Sequence, residues 1–477
     1  MTRIIPARTS PPRTATLLAA SALGVYLLVM VGAATSLLDG HVACPTWPAC
    51  GGEWLVSPGD SPALLAAWGH RVLTLLVGGL LVATTLLAYR RDAGHRVLVP
   101  LVAVAALYPV QMALGALTTL GGAPTGLSAV HLVVAMGIFS GVLLALLAKL
   151  EADVPADATS RTGEVADELR PAPGDEPADA PTTPAATGGG PLATASAYVE
   201  LTKPKLWWLL CLVALASMGL AAGPALRLDT AVATVVGGIL AIGASGTFNN
   251  VAERDVDRRM ARTNERPLVE GRIPVRNALA FGGLLTVASV VVFVAFVNVL
   301  SAALGVLAIL FYSVGYTLLL KPHTPQNIVI GGGVGAFPAL IGWAAVTDSI
   351  GMPAIVLGAV IFLWTPAHFY NLAMVYKADY ARAGFPMLPV VRGDAVTRRH
   401  VLGYLGATML GALALTAAHT LDWVYALVAV AVGAIFLWTV LRLYRERTDR
   451  AAFRAFMASN AYLGLLLVAI VVDAVIV

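Results

Sequence analysis

The chain has 477 residues, is 58% hydrophobic and only 12% charged, and its mean hydropathy of +0.80 excludes an ordinary water-soluble fold. Its formal charge of +4 gathers in alternate loops, which explains the basic balance by membrane topology and argues against a nucleic-acid partner. Long continuous apolar runs lack the alternation of a membrane barrel, so the expected class is an all-α membrane protein of about thirteen transmembrane helices.

Four spans come first, near 16–38, 63–89, 97–119 and 126–149, and together make a four-helix bundle. The first is too long for a signal-peptide core and is read as a retained span. The loop after it carries Cys44 and Cys50 around Pro45-Thr46-Trp47-Pro48-Ala49. A short-range disulfide fits if that loop lies outside the cell, and two free thiols are the alternative. His70 and His131 lie near the starts of the second and fourth spans, which run in the same direction, so both imidazoles fall roughly 8 to 12 Å below one surface. Ligation of one haem by the pair is geometrically allowed, and structural hydrogen bonding is the other reading.

Residues 151–196 carry nine acidic and two basic side chains among Ala, Pro, Thr and Gly, a composition too poor in large apolar residues to fold. They read as a disordered tether. Nine further spans follow, near 205–222, 230–250, 278–298, 301–320, 327–346, 352–374, 401–419, 422–441 and 457–476. The division expected is therefore 1–150, 151–196 and 197–477. Arg3, Arg8, Arg90, Arg91, Arg96, Lys203 and the basic loops near 254–276, 377–399 and 442–454 belong on one side, with Arg227 the exception opposite. The positive-inside rule then puts the amino terminus, tether and these loops in the cytoplasm of a multi-pass cell-membrane protein.

The sixth span ends in Asn249-Asn250-Val251-Ala252-Glu253-Arg254-Asp255-Val256-Asp257. Asn249, Glu253 and Asp257 are four residues apart, so three oxygen-bearing side chains share a helix face at the membrane surface. Such hard ligands suit Mg²⁺, which in turn suits a diphosphate; a charged helix end facing water is the bland alternative. A second polar cluster, from Tyr376 and Lys377 through Asp379 to Gly384, reaches the same surface and can share one or two Mg²⁺ with the first. Lys205, Arg254, Arg258, Arg262, Arg266 and Lys321 supply cations for a leaving diphosphate, although each alone is equally a topological charge.

From 198 onward the chain resembles the UbiA superfamily of membrane prenyltransferases, and within it the protohaem IX farnesyltransferase (haem O synthase) family. The resemblance rests on Leu201-Thr202-Lys203-Pro204, on 249–267 (NNVAERDVDRRMARTNERP) and on Asn327-Ile328-Val329-Ile330-Gly331-Gly332. Trp364-Thr365-Pro366-Ala367-His368-Phe369 and Gly384-Phe385-Pro386-Met387-Leu388-Pro389 complete it. It implies a nine-helix bundle with two acidic motifs over a central cavity, and transfer of farnesyl from farnesyl diphosphate to a vinyl group of haem B with Mg²⁺ as cofactor. Asn249, Asn250, Glu253, Asp257 and Asp379 would be its catalytic set, with Glu253 and Asn250 standing where the superfamily usually has Asp. His368 is read either as a haem-orienting residue or as a structurally bonded histidine.

The first bundle resembles one half of the haem A synthase family, through the Cys44 to Cys50 loop, Gly69-His70-Arg71, Gln111-Met112-Ala113-Leu114-Gly115 and His131-Leu132. That family has two such halves, whereas this chain has one, and Ala67 stands where the family usually carries Glu. The resemblance thus implies haem binding or handover, with His70 and His131 as ligands, in company with haem A synthase, oxidase assembly machinery or a second copy. Two other functions remain open: prenyl transfer to a quinone precursor or isoprenoid glycerol lipid, and haem carriage without catalysis. A carrier would not need the two acidic clusters.

Overall fold

The computed structural model describes residues 13–57, 59–153, 190–418, 421 and 423–475, and the chain divides into two compact units, Met1–Pro155 and Ala156–Val477. Both are helical, and among the described residues twelve helices are long and apolar enough to cross a membrane. Helices satisfy every backbone group internally, which hydrocarbon demands.

In the first unit, α1 (Arg13–Leu37), α3 (Pro62–Arg90), α4 (His95–Leu120) and α5 (Thr125–Ala152) pack in a closed ring, with the short α2 (Gly40–Ala43) beside α3. Buried polar groups pin neighbouring helices: Ser21 and Thr84 hydroxyls are 3.1 Å apart, and Tyr108 Oη donates to Thr74 O at 2.6 Å. Two glycines make room for the histidines. A Cβ on Gly32 of α1 would lie 2.8 Å from the His70 ring, and one on Gly115 of α4 would lie 3.0 Å from the His131 ring.

The second unit begins with α6 (Pro191–Leu201), packed through Ala197 and Leu201 against Leu268, Ile273 and Ala278. This corrects the ends of the expected tether. Helix α5 runs on through Ala152 and α6 starts at Pro191, while 154–189 lie outside the described residues. The membrane helices follow: α7 (Trp207–Ala222), α8 (Leu228–Asp257), α9 (Val275–Phe296), α10 (Val299–His323), α11 (Asn327–Thr347) and α12 (Met352–Val375). After the short α13 (Lys377–Arg382) and α14 (Leu388–Val391) come α15 (Gly393–Ala418), α16 (Trp423–Glu446) and α17 (Asp449–Val475).

Among the described residues these nine long helices close a ring in chain order, α17 returning to α7. Among the described residues α15 brings the long helices to thirteen, and it begins eight residues earlier than expected, its first two turns carrying Asp394, Arg398 and Arg399. Helix α8 likewise runs seven residues past its expected end, so the Asn249 to Asp257 segment is helical throughout. In α10, Phe311–Leu320 winds as a π-helix, and Thr317 Oγ1 donates to Tyr312 O, five residues back, at 2.9 Å. Such wide turns are rare and collect at functional sites, because they re-aim a helix face.

Candidate active site

The last two turns of α8 turn their polar face inward. Asn249, Glu253 and Asp257 are 1%, 5% and 1% exposed, so each needs a partner to offset the loss of water. Asn249 Nδ2 donates to Thr317 Oγ1 at 2.9 Å, and its Oδ1 accepts from Lys203 Nζ. Glu253 accepts from Lys321 Nζ at 2.5 Å, and Asp257 from Arg266 at 2.6 Å. Asn250 looks elsewhere, its Nδ2 donating to Leu201 O of α6 at 3.0 Å. Each carboxylate thus has its own cation, as buried charges require.

The loop after α8 carries the second acidic motif to the first. Asp379 Oδ1 accepts from the Ala261 amide at 3.3 Å and from Arg382. Arg262 lies 4.9 Å from the ring centroids of both Tyr376 and Tyr380, and donates to Tyr380 Oη at 2.9 Å. Lys321, besides pairing with Glu253, sits 4.5 Å from the Phe385 ring. The two motifs therefore meet through Arg262, Ala261 and Lys321, with α10 between them.

Not every candidate residue faces this cluster. Arg254 and Arg258 pair with the exposed Asp255, and Lys377 pairs with Asp394 at 3.3 Å. Lys205 is exposed at the start of α7. Its near neighbour Lys203, not among the expected binding residues, is the one that points inward. Lys203 adopts a left-handed φ of 54° just before Pro204, a strained backbone for a residue with a Cβ. Burial pushes its ammonium down to about 7, against the upward pull of Glu253. His368 is packed between Trp364 and Phe456, both rings 4.3 Å away, with Nδ1 2.7 Å from Ser459 Oγ. That is the structural alternative of the sequence reading.

Among the described residues no three carboxylate, imidazole or thiolate groups assemble as a metal cage. Mg²⁺ does not need one, since it is usually held by one or two carboxylates plus substrate phosphates. Asp257 Oδ1 and Asn250 Oδ1 are buried and lack a hydrogen-bond partner. The Asp257 oxygen, one turn on from Glu253, fits Mg²⁺. Below the cluster an apolar cavity opens between α7, α8, α10 and α11, lined by Leu210, Cys211, Gly238, Ile242, Tyr312 and Phe337 among others.

The geometry is a cation-rich polar cluster beside an apolar cavity. The profile of the UbiA prenyltransferase family matches residues 209–464. The protohaem IX farnesyltransferase of Haloarcula marismortui is 54% identical over 96% of this chain and 97% of its own length. The chain belongs to the protohaem IX farnesyltransferase family. The member from Roseiflexus castenholzii is 34% identical over 99% of this chain and 87% of its own. A solved digeranylgeranylglyceryl phosphate synthase, 17% identical, covers 60% of this chain and all of its own with a TM-score of 0.50, a likeness of fold. The profile described as cytochrome oxidase assembly protein matches residues 4–143, within the first unit.

In that first unit Cys44 and Cys50 form a disulfide. Arg71 holds the loop, donating to Cys44 O at 3.1 Å and Pro48 O at 3.0 Å. His70 and His131 sit eight and six residues into α3 and α5, about 12 and 9 Å along them. Nδ1 of each is buried without a partner, and Gln111 Nε2 lies 3.2 Å from His131 Nε2. Ala67 is buried against Cys44 and Cys50.

Proposed function

We propose that this chain transfers the farnesyl group of farnesyl diphosphate to a vinyl group of haem B, giving a hydroxyethylfarnesyl haem. The observation that carries the acceptor is the 54% identity, end to end, with a named protohaem IX farnesyltransferase. The observation that supports the donor is the pairing of Lys203, Lys321 and Arg266 with Asn249, Glu253 and Asp257 at the mouth of the apolar cavity.

In the reaction the bond from allylic C1 to the diphosphate oxygen breaks, and its electron pair leaves with the diphosphate. Lys203, Lys321 and Arg266 stabilise that developing charge, in a site where low dielectric magnifies each interaction. Glu253 and Asp257 would hold Mg²⁺, which supplies further neutralisation of the diphosphate. The cavity holds the isoprenoid tail and keeps water from C1. The vinyl electron pair then bonds to C1, and the resulting cation beside the pyrrole takes up water and loses a proton. Asp379 positions the loop that carries Arg262 and Arg266.

The first unit holds haem through His70 and His131, whose Nδ1 atoms are buried without a partner within a four-helix bundle. With Ala67 in place of a carboxylate, the reading is binding and handover, to haem A synthase or oxidase assembly machinery, alone or as a pair of copies. The prenyl-transfer motifs are read as cytoplasmic and the disulfide loop as outside, a reading the basic loops support. Mass spectrometry of haems extracted from membranes with and without the protein tests the proposal. A new hydroxyethylfarnesyl haem is expected; unchanged haem alongside a new prenylated lipid would favour the lipid-acceptor reading.

A further inference from the structure

Tyr312 belongs to two neighbourhoods at once. Lys203 Nζ lies 3.5 Å from its hydroxyl and 5.8 Å from its ring centroid, which places the ammonium at the hydroxyl end of the ring. The same ring lines the apolar cavity beside Leu210, Ile242 and Phe337. A prenyl diphosphate spans the same two regions, with its anionic head among the cations and its tail in the cavity. The carbon that joins head to tail is C1, and it must pass Tyr312. Cavity-lining residues on α8 run from Thr234 to Gly246, about 18 Å at the helical rise.

The backbone explains the placement. The π-helical turns of α10 carry Tyr312, Tyr316, Thr317 and Lys321 onto the side facing α8, where Thr317 takes Asn249 and Lys321 takes Glu253. The Tyr316 ring backs that of Tyr312 at 5.7 Å. An aromatic face carries negative quadrupole density and attracts a cation most strongly where water is excluded.

We propose that the Tyr312 ring is a catalytic group that stabilises the allylic cation of farnesyl diphosphate as it ionises, a role that rests on the farnesyl-transfer reading above. The C1 to oxygen bond breaks with both electrons going to the diphosphate, and positive charge spreads over C1 and C3. The ring forms no bond and exchanges no proton. The charge is discharged when the haem vinyl pair bonds to C1.

The test uses the full chain in lipid nanodiscs and farnesyl diphosphate labelled with ¹⁸O at the bridging oxygen. Ionisation and internal return scramble the label into non-bridging positions, so the readout reports C–O cleavage whatever the acceptor. Tyr312→Phe retains the ring and stays within about threefold of wild type, since the face supplies the stabilisation. Phenylalanines with one, two and three ring fluorines at 312 keep the shape and progressively drain the face, lowering scrambling by up to about thirtyfold with farnesyl diphosphate affinity unchanged. A flat fluorine series, or Tyr312→Phe as slow as Tyr312→Leu, overturns the role. Graded scrambling without farnesylated haem would sink the acceptor and leave Tyr312 standing; farnesylated haem with a flat series would do the reverse.

Discussion

Lys321 Nζ and Glu253 Oε1 lie 2.5 Å apart, joining the end of α10 to the motif helix α8, with the two residues 7% and 5% exposed. Removing one partner of a buried pair leaves the other charge stranded. Lys321→Met therefore destabilises the protein by about 3 to 5 kcal/mol. Adding Glu253→Leu restores the melting temperature in detergent but not turnover, because the pair serves the diphosphate rather than the fold.

Lys203 and Lys205 are two residues apart and face opposite ways. Lys203→Ala removes a charge-assisted contact beside Asn249, and kcat/KM for farnesyl diphosphate falls by about 10- to 100-fold. Lys205→Ala stays within about twofold, as for other solvated charges. Steady-state turnover with both variants separates them.

Asp257 and Asp255 offer the same contrast on one helix. Asp257 is buried against Arg266, whereas the Asp255 side chain is 70% exposed between Arg254 and Arg258. Asp257→Asn lowers kcat by at least about a hundredfold, the scale of losing one electrostatic stabiliser in a closed site. Asp255→Asn leaves kcat unchanged within experimental scatter.

The first unit is testable by its colour. His70→Ala with His131→Ala yields protein that purifies with little of the haem absorbance of wild type. Farnesyl transfer to haem supplied in solution continues, since the reacting groups lie in the second unit. Undiminished haem in the double variant would exclude the ligation.

Much of the fold is legible in the sequence, because hydrocarbon permits little besides helices and each apolar run declares one. The four-residue spacing of Asn249, Glu253 and Asp257 is equally plain. The cations are legible only in part. Arg254 within the motif helix and Arg258 just past its end pair with Asp255 instead. Arg262 and Arg266 return to the site only because the loop folds back over α8, a tertiary event without a local signature. Lys203 is chosen over Lys205 by a positive φ at a non-glycine residue, which sequence pattern does not announce. The π-helical stretch of α10 reads as an ordinary apolar helix, yet it aims Tyr312, Thr317 and Lys321. The acidic segment 151–196 conceals its helical ends, since Ala-rich residues near 191–197 gain their helix by packing Ala197 and Leu201 on the loop after α8.

Incubating the purified protein with haem B, farnesyl diphosphate and Mg²⁺, and weighing the haem by mass spectrometry, tests the central claim most directly. Haem heavier by one farnesyl group and one hydroxyl is expected, formed by wild type and lost in Asp257→Asn. Unmodified haem with wild type, or undiminished product with Asp257→Asn, would contradict it.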